Sequence, residues 1–87
     1  MLDLDPRLLK IFASVMHCGS VTRASERLNT SQPSVSKALK RLEELVGFAL
    51  FEPDGRNIYP TQKAQLLLES AVRIERELEE TKQRILE

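Results

Sequence analysis

Gln32, Ser34, Ser36, Lys37 and Lys40 fall close together in the run Ser31-Gln32-Pro33-Ser34-Val35-Ser36-Lys37-Ala38-Leu39-Lys40. Amides and hydroxyls hydrogen-bond to the edges of bases, and ammonium groups meet phosphates, so these residue types suit a polyanion that also carries a sequence. Between them Val35, Leu39, Leu42 and Val46 recur at helical spacing and make one apolar stripe. Ser31 is a suitable N-cap, and Pro33 sits in the first turn, where its missing N–H costs nothing. The opposite face then presents Pro33, Lys37, Lys40 and Glu44, flanked by Ser34, Ser36 and Arg41. A helix that opens with short polar residues can enter a major groove end-on. Gln32, Ser34 and Ser36 would reach base edges while Lys37 and Lys40 meet phosphates.

Such a helix needs a partner to aim it. Val21, Ala24, Ser25 and Leu28 form a small-residue apolar face on the segment before it, with Ser20 or Thr22 as cap. Small side chains at 24 and 25 allow the close helix approach of a helix-turn-helix. Asn29 stands at the turn and tolerates left-handed backbone. Asp5-Pro6 opens an earlier helix whose stripe is Leu8, Ile11, Phe12, Val15 and Met16, and Gly19 stops it; Gly47 stops the recognition helix likewise. Ala49-Leu50-Phe51, the turn Pro53-Asp54-Gly55 and Asn57-Ile58-Tyr59 read as a two-stranded hairpin, a wing with Arg56 at its tip near a flanking phosphate or the minor groove.

Thr61 caps a last helix in which Ala64, Leu67, Ala71, Ile74, Leu78, Thr81 and Ile85 alternate by three and four residues, the spacing of a coiled-coil seam. At about 1.5 Å per residue this helix runs roughly 38 Å, too long for so small a body to bury. Leu66, Leu68 and Val72 widen its apolar surface near the start, where it should pack on the rest of the chain. The expected fold is mainly α: three helices and a two-stranded wing over residues 1–60, then a linker helix over 61–87 that pairs two copies through Leu67, Ala71, Ile74, Leu78 and Ile85.

Eighty-seven residues suffice for one small domain with a marginal core. The net charge is zero, but its distribution is uneven: between Thr22 and Arg41 five basic residues (Arg23, Arg27, Lys37, Lys40 and Arg41) stand against Glu26 alone. The acids gather in the last helix, so the overall balance conceals a basic patch. One cysteine excludes an internal disulfide and fits a reducing cytoplasm, and no stretch has the length and apolarity of a signal peptide or membrane span. His17 and Cys18 are adjacent, yet a metal site needs further ligands at suitable spacing, and none lies near in sequence; helix-end packing explains both. No nucleophile stands with a base and no glycine loop cradles a phosphate, so neither an enzyme site nor a cofactor is expected.

Leu9-Lys10-Ile11-Phe12, Gly19-Ser20-Val21-Thr22-Arg23-Ala24, Glu26-Arg27-Leu28, Ser31-Gln32-Pro33-Ser34-Val35-Ser36, Leu42-Glu43, Gly47, Leu50-Phe51-Glu52, Gly55-Arg56 and Pro60-Thr61 together make an ordered set. With these residues the chain resembles the N-terminal DNA-binding domain of LysR-type transcriptional regulators along essentially its whole length. The resemblance implies a winged helix-turn-helix and a linker helix that pairs antiparallel with its twin. It implies dimers, or dimers of dimers, on an interrupted palindrome in double-stranded DNA. It also implies a small co-inducer bound by a C-terminal domain, and the chain stops where that domain would begin. Carried over by position, Gln32, Pro33, Ser34, Ser36 and Lys37 form the groove-facing set, with Arg23 and Arg56 as flanking contacts; Ser31 and Lys40 complete the expected DNA-binding set. Ser25 departs from the usual second alanine, and Pro53 from the arginine often found after Phe-Glu.

Two other readings compete. A protein-interaction module would use the winged helix as a scaffold and recruit a partner through the long helix, which the neutral net charge allows. An architectural DNA binder would bind promoter and random DNA alike.

Overall fold

The structure is a computed structural model that describes the backbone of residues 4–54 and 57–87, with side chains described except at 53–57. In chain order it comprises α1 (Pro6–Cys18), α2 (Val21–Arg27), α3 (Gln32–Val46), β1 (Phe51–Asp54), β2 (Asn57–Pro60) and α4 (Gln62–Leu86). Each helix starts where a side chain can take up an orphan N–H. Asp5 accepts from the Arg7 amide at 2.9 Å, Ser20 from Arg23 at 3.2 Å, Ser31 from Ser34 at 3.2 Å and Thr61 from Ala64 at 3.2 Å. The Arg7 guanidinium also returns to the Asp5 carboxylate at 3.2 Å. This side-chain bond, with the backbone bond from Arg7, holds the Asp5 carboxyl below its ordinary pKa of 3.8.

Left-handed residues end three of the helices. Gly19 (φ 68°) closes α1 and Gly47 (φ 81°) closes α3, their amides bonding back to Val15 and Glu43. Asn29, at φ 54°, closes α2. There the Asn29 amide bonds to the Glu26 carbonyl at 3.2 Å and the Thr30 amide to Ser25 at 2.9 Å, the paired bonds of a Schellman motif.

Helix α1 lies at the centre, packed against α2, α3 and α4. The core joins Leu9, Phe12 and Val15 of α1 to Ala24, to Val35, Leu39 and Leu42 of α3, to Leu50, and to Ala64 and Ala71 of α4. The α1 stripe is wider than the expected one. Leu9 and Ala13 are buried beside Phe12 and Val15, while Leu8, Ile11 and Met16 are half-buried at its margins. All five expected residues belong to the core or pack against it, and because α1 is covered on several sides Leu9 and Ala13 join them.

The hairpin is antiparallel, with Phe51 opposite Pro60 and Glu52 opposite Tyr59. Its base is tied down from two directions. Glu43 of α3 accepts from the Leu50 amide at 2.7 Å, and the Leu50 carbonyl accepts from the Thr61 amide at 2.9 Å. Thr61 also donates its hydroxyl to the Ala49 carbonyl at 2.8 Å, so one side chain both caps α4 and holds the entry to the wing. Thr61→Ala should therefore cost about 1–2 kcal/mol, the upper range for a lost cap, read as a lower urea midpoint at unchanged slope.

Helix α4 has 25 residues, and only its first half is absorbed by the core. Ala64 and Ala71 are fully buried, and Leu67, Leu68 and Ile74 pack against the core, so that core crosses position 60. Leu66 was expected to pack there and is instead 62% exposed.

Candidate nucleic-acid interface

The first turn of α3 and its outward face form the surface in question. Val35, Leu39 and Leu42 are buried, which fixes the roll of the helix and forces the intervening residues outward. Ser31, Gln32, Pro33, Ser34, Ser36, Lys37 and Lys40 are all exposed, as is Arg23 on α2. The structure thus leaves each of these sequence-derived candidates exposed, and Gln32 touches α2 at Thr22, next to Arg23. Arg56 lies outside the described residues.

These side chains are not equivalent. The Ser31 hydroxyl accepts from the Ser34 amide and lies 2.8 Å from the Ser34 hydroxyl, so each serine is already engaged by the other. Ser31 acts first as a cap. Gln32 Nε2 donates to Thr22 Oγ1 at 2.7 Å, a bond from α3 back to α2. Thr22, a possible cap for α2 by its sequence, leaves that role to Ser20. No local pattern reveals a pairing between helices ten positions apart.

The basic groups are uncommitted. Among the described residues the ion pairs are Arg7–Asp5, Arg41–Glu44 and Arg84–Glu77, which leaves Arg23, Arg27, Lys37 and Lys40 without a carboxylate within bonding distance. Lys37 and Lys40 on the outward face of α3 contribute positive charge there whatever the net charge, while Arg27 lines a cleft with Lys10 and His17 of α1 and Glu75 of α4. Ser25, only 4% exposed, donates its hydroxyl to the Thr22 carbonyl at 2.7 Å. The serine in place of alanine is therefore satisfied and leaves the approach of α2 intact. Among the described residues no three His, Cys, Asp or Glu side chains gather as a metal site; His17 is exposed and Cys18 half-buried.

The five seam residues of α4 divide. Ala71 is fully buried within its own chain and has no side-chain surface to offer a partner, and Leu67 and Ile74 are partly spent on the same core. Leu78 and Ile85 are 53% and 76% exposed, with Leu86 at 71%. The seam divides because α4 runs past the end of the body it packs on. No helix among the described residues is long and apolar enough to cross a membrane.

With this geometry in hand, residues 6–65 match the family model described as bacterial regulatory helix-turn-helix protein, lysR family. The chain belongs to the LysR family. It is 46% identical over 72 residues to the HTH-type transcriptional regulator AdmX of Serratia plymuthica, which covers 83% of this chain and 24% of that protein. It is 40% identical over 73 residues to the transcriptional activator protein LysR of Escherichia coli K12, again 24% of the relative and 84% of this chain. This LysR-family chain thus spans about a quarter of the length of these relatives. Its fold matches that of the CbnR DNA-binding domain solved in complex with DNA, with a TM-score of 0.88 at 32% identity over 93% of each chain. Its relatives are regulators and not enzymes, and the winged helix-turn-helix is the family's own architecture.

Proposed function

We propose that this chain reads a specific sequence in double-stranded DNA as the DNA-binding part of a LysR-type transcription regulator, with the start of α3 in the major groove. The observation that carries the reading is the exposed face from Gln32 to Lys40, rolled outward by a buried stripe and bearing lysines with no carboxylate partner among the described residues. Gln32 and Ser36 make the base contacts; Lys37 and Lys40 hold phosphates, and Arg23 flanks them. Arg56 extends the contact through the wing. Two copies pair through the exposed end of α4, where Leu78 and Ile85 remain available, and so set the spacing of two half-sites. Two such pairs can make the tetramer in a full-length regulator, whose C-terminal domain takes the co-inducer.

Selection of bound duplexes from a random pool tests this directly. An interrupted palindrome should emerge, with half-sites about 10 bp or a multiple apart and binding that weakens steeply with salt. A folded, dimeric protein that enriches no sequence would favour the interaction module instead. Equal binding to promoter and random DNA would favour the architectural reading.

A further inference from the structure

Among the described recognition candidates, Gln32 alone has its side chain held by the other helix. Glutamine ordinarily keeps much rotamer freedom, and a side chain ordered before binding gives up less entropy on contact. Its two amide ends are also chemically opposite: Nε2 donates and Oε1 accepts. With Nε2 on Thr22 Oγ1 at 2.7 Å, the carbonyl becomes the free end of an exposed side chain at the first residue of α3. In the major groove an outward acceptor meets the N6 amino group of adenine or the N4 amino group of cytosine. It is repelled by O6 and N7 of guanine and by O4 of thymine.

We infer that Thr22 is a positioning residue that fixes the Gln32 amide with its carbonyl toward the groove, so that at one position of each half-site the strand Gln32 reaches is chosen for adenine or cytosine. The inference rests on the DNA-binding reading above. It assigns a role to a residue of α2 that need not touch the DNA itself. Thr22 is exposed, so its hydroxyl can be removed without opening the core.

The test compares base preferences, position by position, for the parent chain and for Gln32→Ala, Thr22→Val, Thr22→Ser and the Thr22→Val/Gln32→Ala double variant, using duplexes that differ at single base pairs. Gln32→Ala should flatten the preference at one symmetry-related pair of positions, where the parent favours adenine or cytosine by about tenfold. Thr22→Val should flatten the same positions, Thr22→Ser should restore them, and the double variant should add nothing to Gln32→Ala. A merely structural bond between α2 and α3 would instead weaken every duplex alike. Uniform weakening by Thr22→Val, an unchanged profile, or a preference for guanine or thymine at the Gln32 position each overturns the inference while leaving the regulator reading in place. Absence of any sequence preference in the parent overturns both.

Discussion

Lys37→Glu should abolish specific DNA binding while leaving the protein folded. Lys37 is exposed on the outward face of α3, one turn from the helix start, and has no carboxylate partner among the described residues. Its ammonium is therefore available to a phosphate, and glutamate at the same place turns an attraction into a repulsion. At ~0.1 M salt the screening length is about 10 Å, longer than the reach between side chain and backbone phosphate, so the repulsion is felt nearly in full. The affinity should fall at least about a hundredfold, and the slope of log affinity against log salt should shrink by about 0.9 for the phosphate no longer neutralised. Stability should move by no more than about 0.5 kcal/mol, because the side chain packs on nothing in the core. Fluorescence anisotropy across a salt series, beside a thermal melt, reads both quantities. A folded variant that still binds within about threefold of the parent would place the DNA on another face.

The proposed pairing through α4 gives that experiment an internal control. Leu78 and Ile85 lie exposed on the second half of α4, Leu78 lining a groove with Pro6, Arg7 and Lys10 of α1 and no residue of α3, so the charge change on α3 should leave self-association untouched. Loss of DNA binding together with loss of the dimer would mean that the two surfaces are not separate.

How much of this was legible in the sequence depends on the range of each interaction. Asp5, Ser31 and Thr61 were recognisable as caps, because a cap bonds to an amide two or three residues away. Gly19, Gly47 and Asn29 were recognisable as stops, because a left-handed backbone is a local demand. The stripe Val35, Leu39, Leu42 was equally plain, since α3 buries one face and leaves the other free. The pattern is incomplete where one element meets several others. Leu9 and Ala13 are buried because α1 is wrapped by three helices, and a single apolar stripe cannot encode three neighbours. Ala71 has the right spacing for a seam, but the core of its own chain buries it fully. The Thr22–Gln32 bond depends on how α2 and α3 approach, and neither residue type announces it.

Phe12→Ala should be the most damaging single change to stability. The ring is wholly buried, and its centroid lies 6.0 Å from that of Phe51 at a tilt of 53°. It thereby joins the central helix to the first strand of the wing. Truncation removes a large apolar side chain and leaves a cavity between elements that each have other contacts holding them apart, so the site cannot collapse to fill it. The expected cost is about 3–5 kcal/mol. A small domain has in total only about 5–10 kcal/mol, so the variant should be partly unfolded at ordinary temperature. With a urea slope of about 1 kcal/mol/M, the midpoint should fall by about 3 M. Phe12→Leu keeps most of the volume and should cost under about 2 kcal/mol, which leaves a folded protein to assay. That variant should bind DNA with the parent's salt slope, because Phe12 supports the recognition surface from behind and offers no group to a phosphate. A Phe12→Leu protein that stays folded but reads a different sequence would show that the wing and α3 are aimed through this ring. A Phe12→Ala protein with an unchanged midpoint would mean that the centre of the core lies elsewhere.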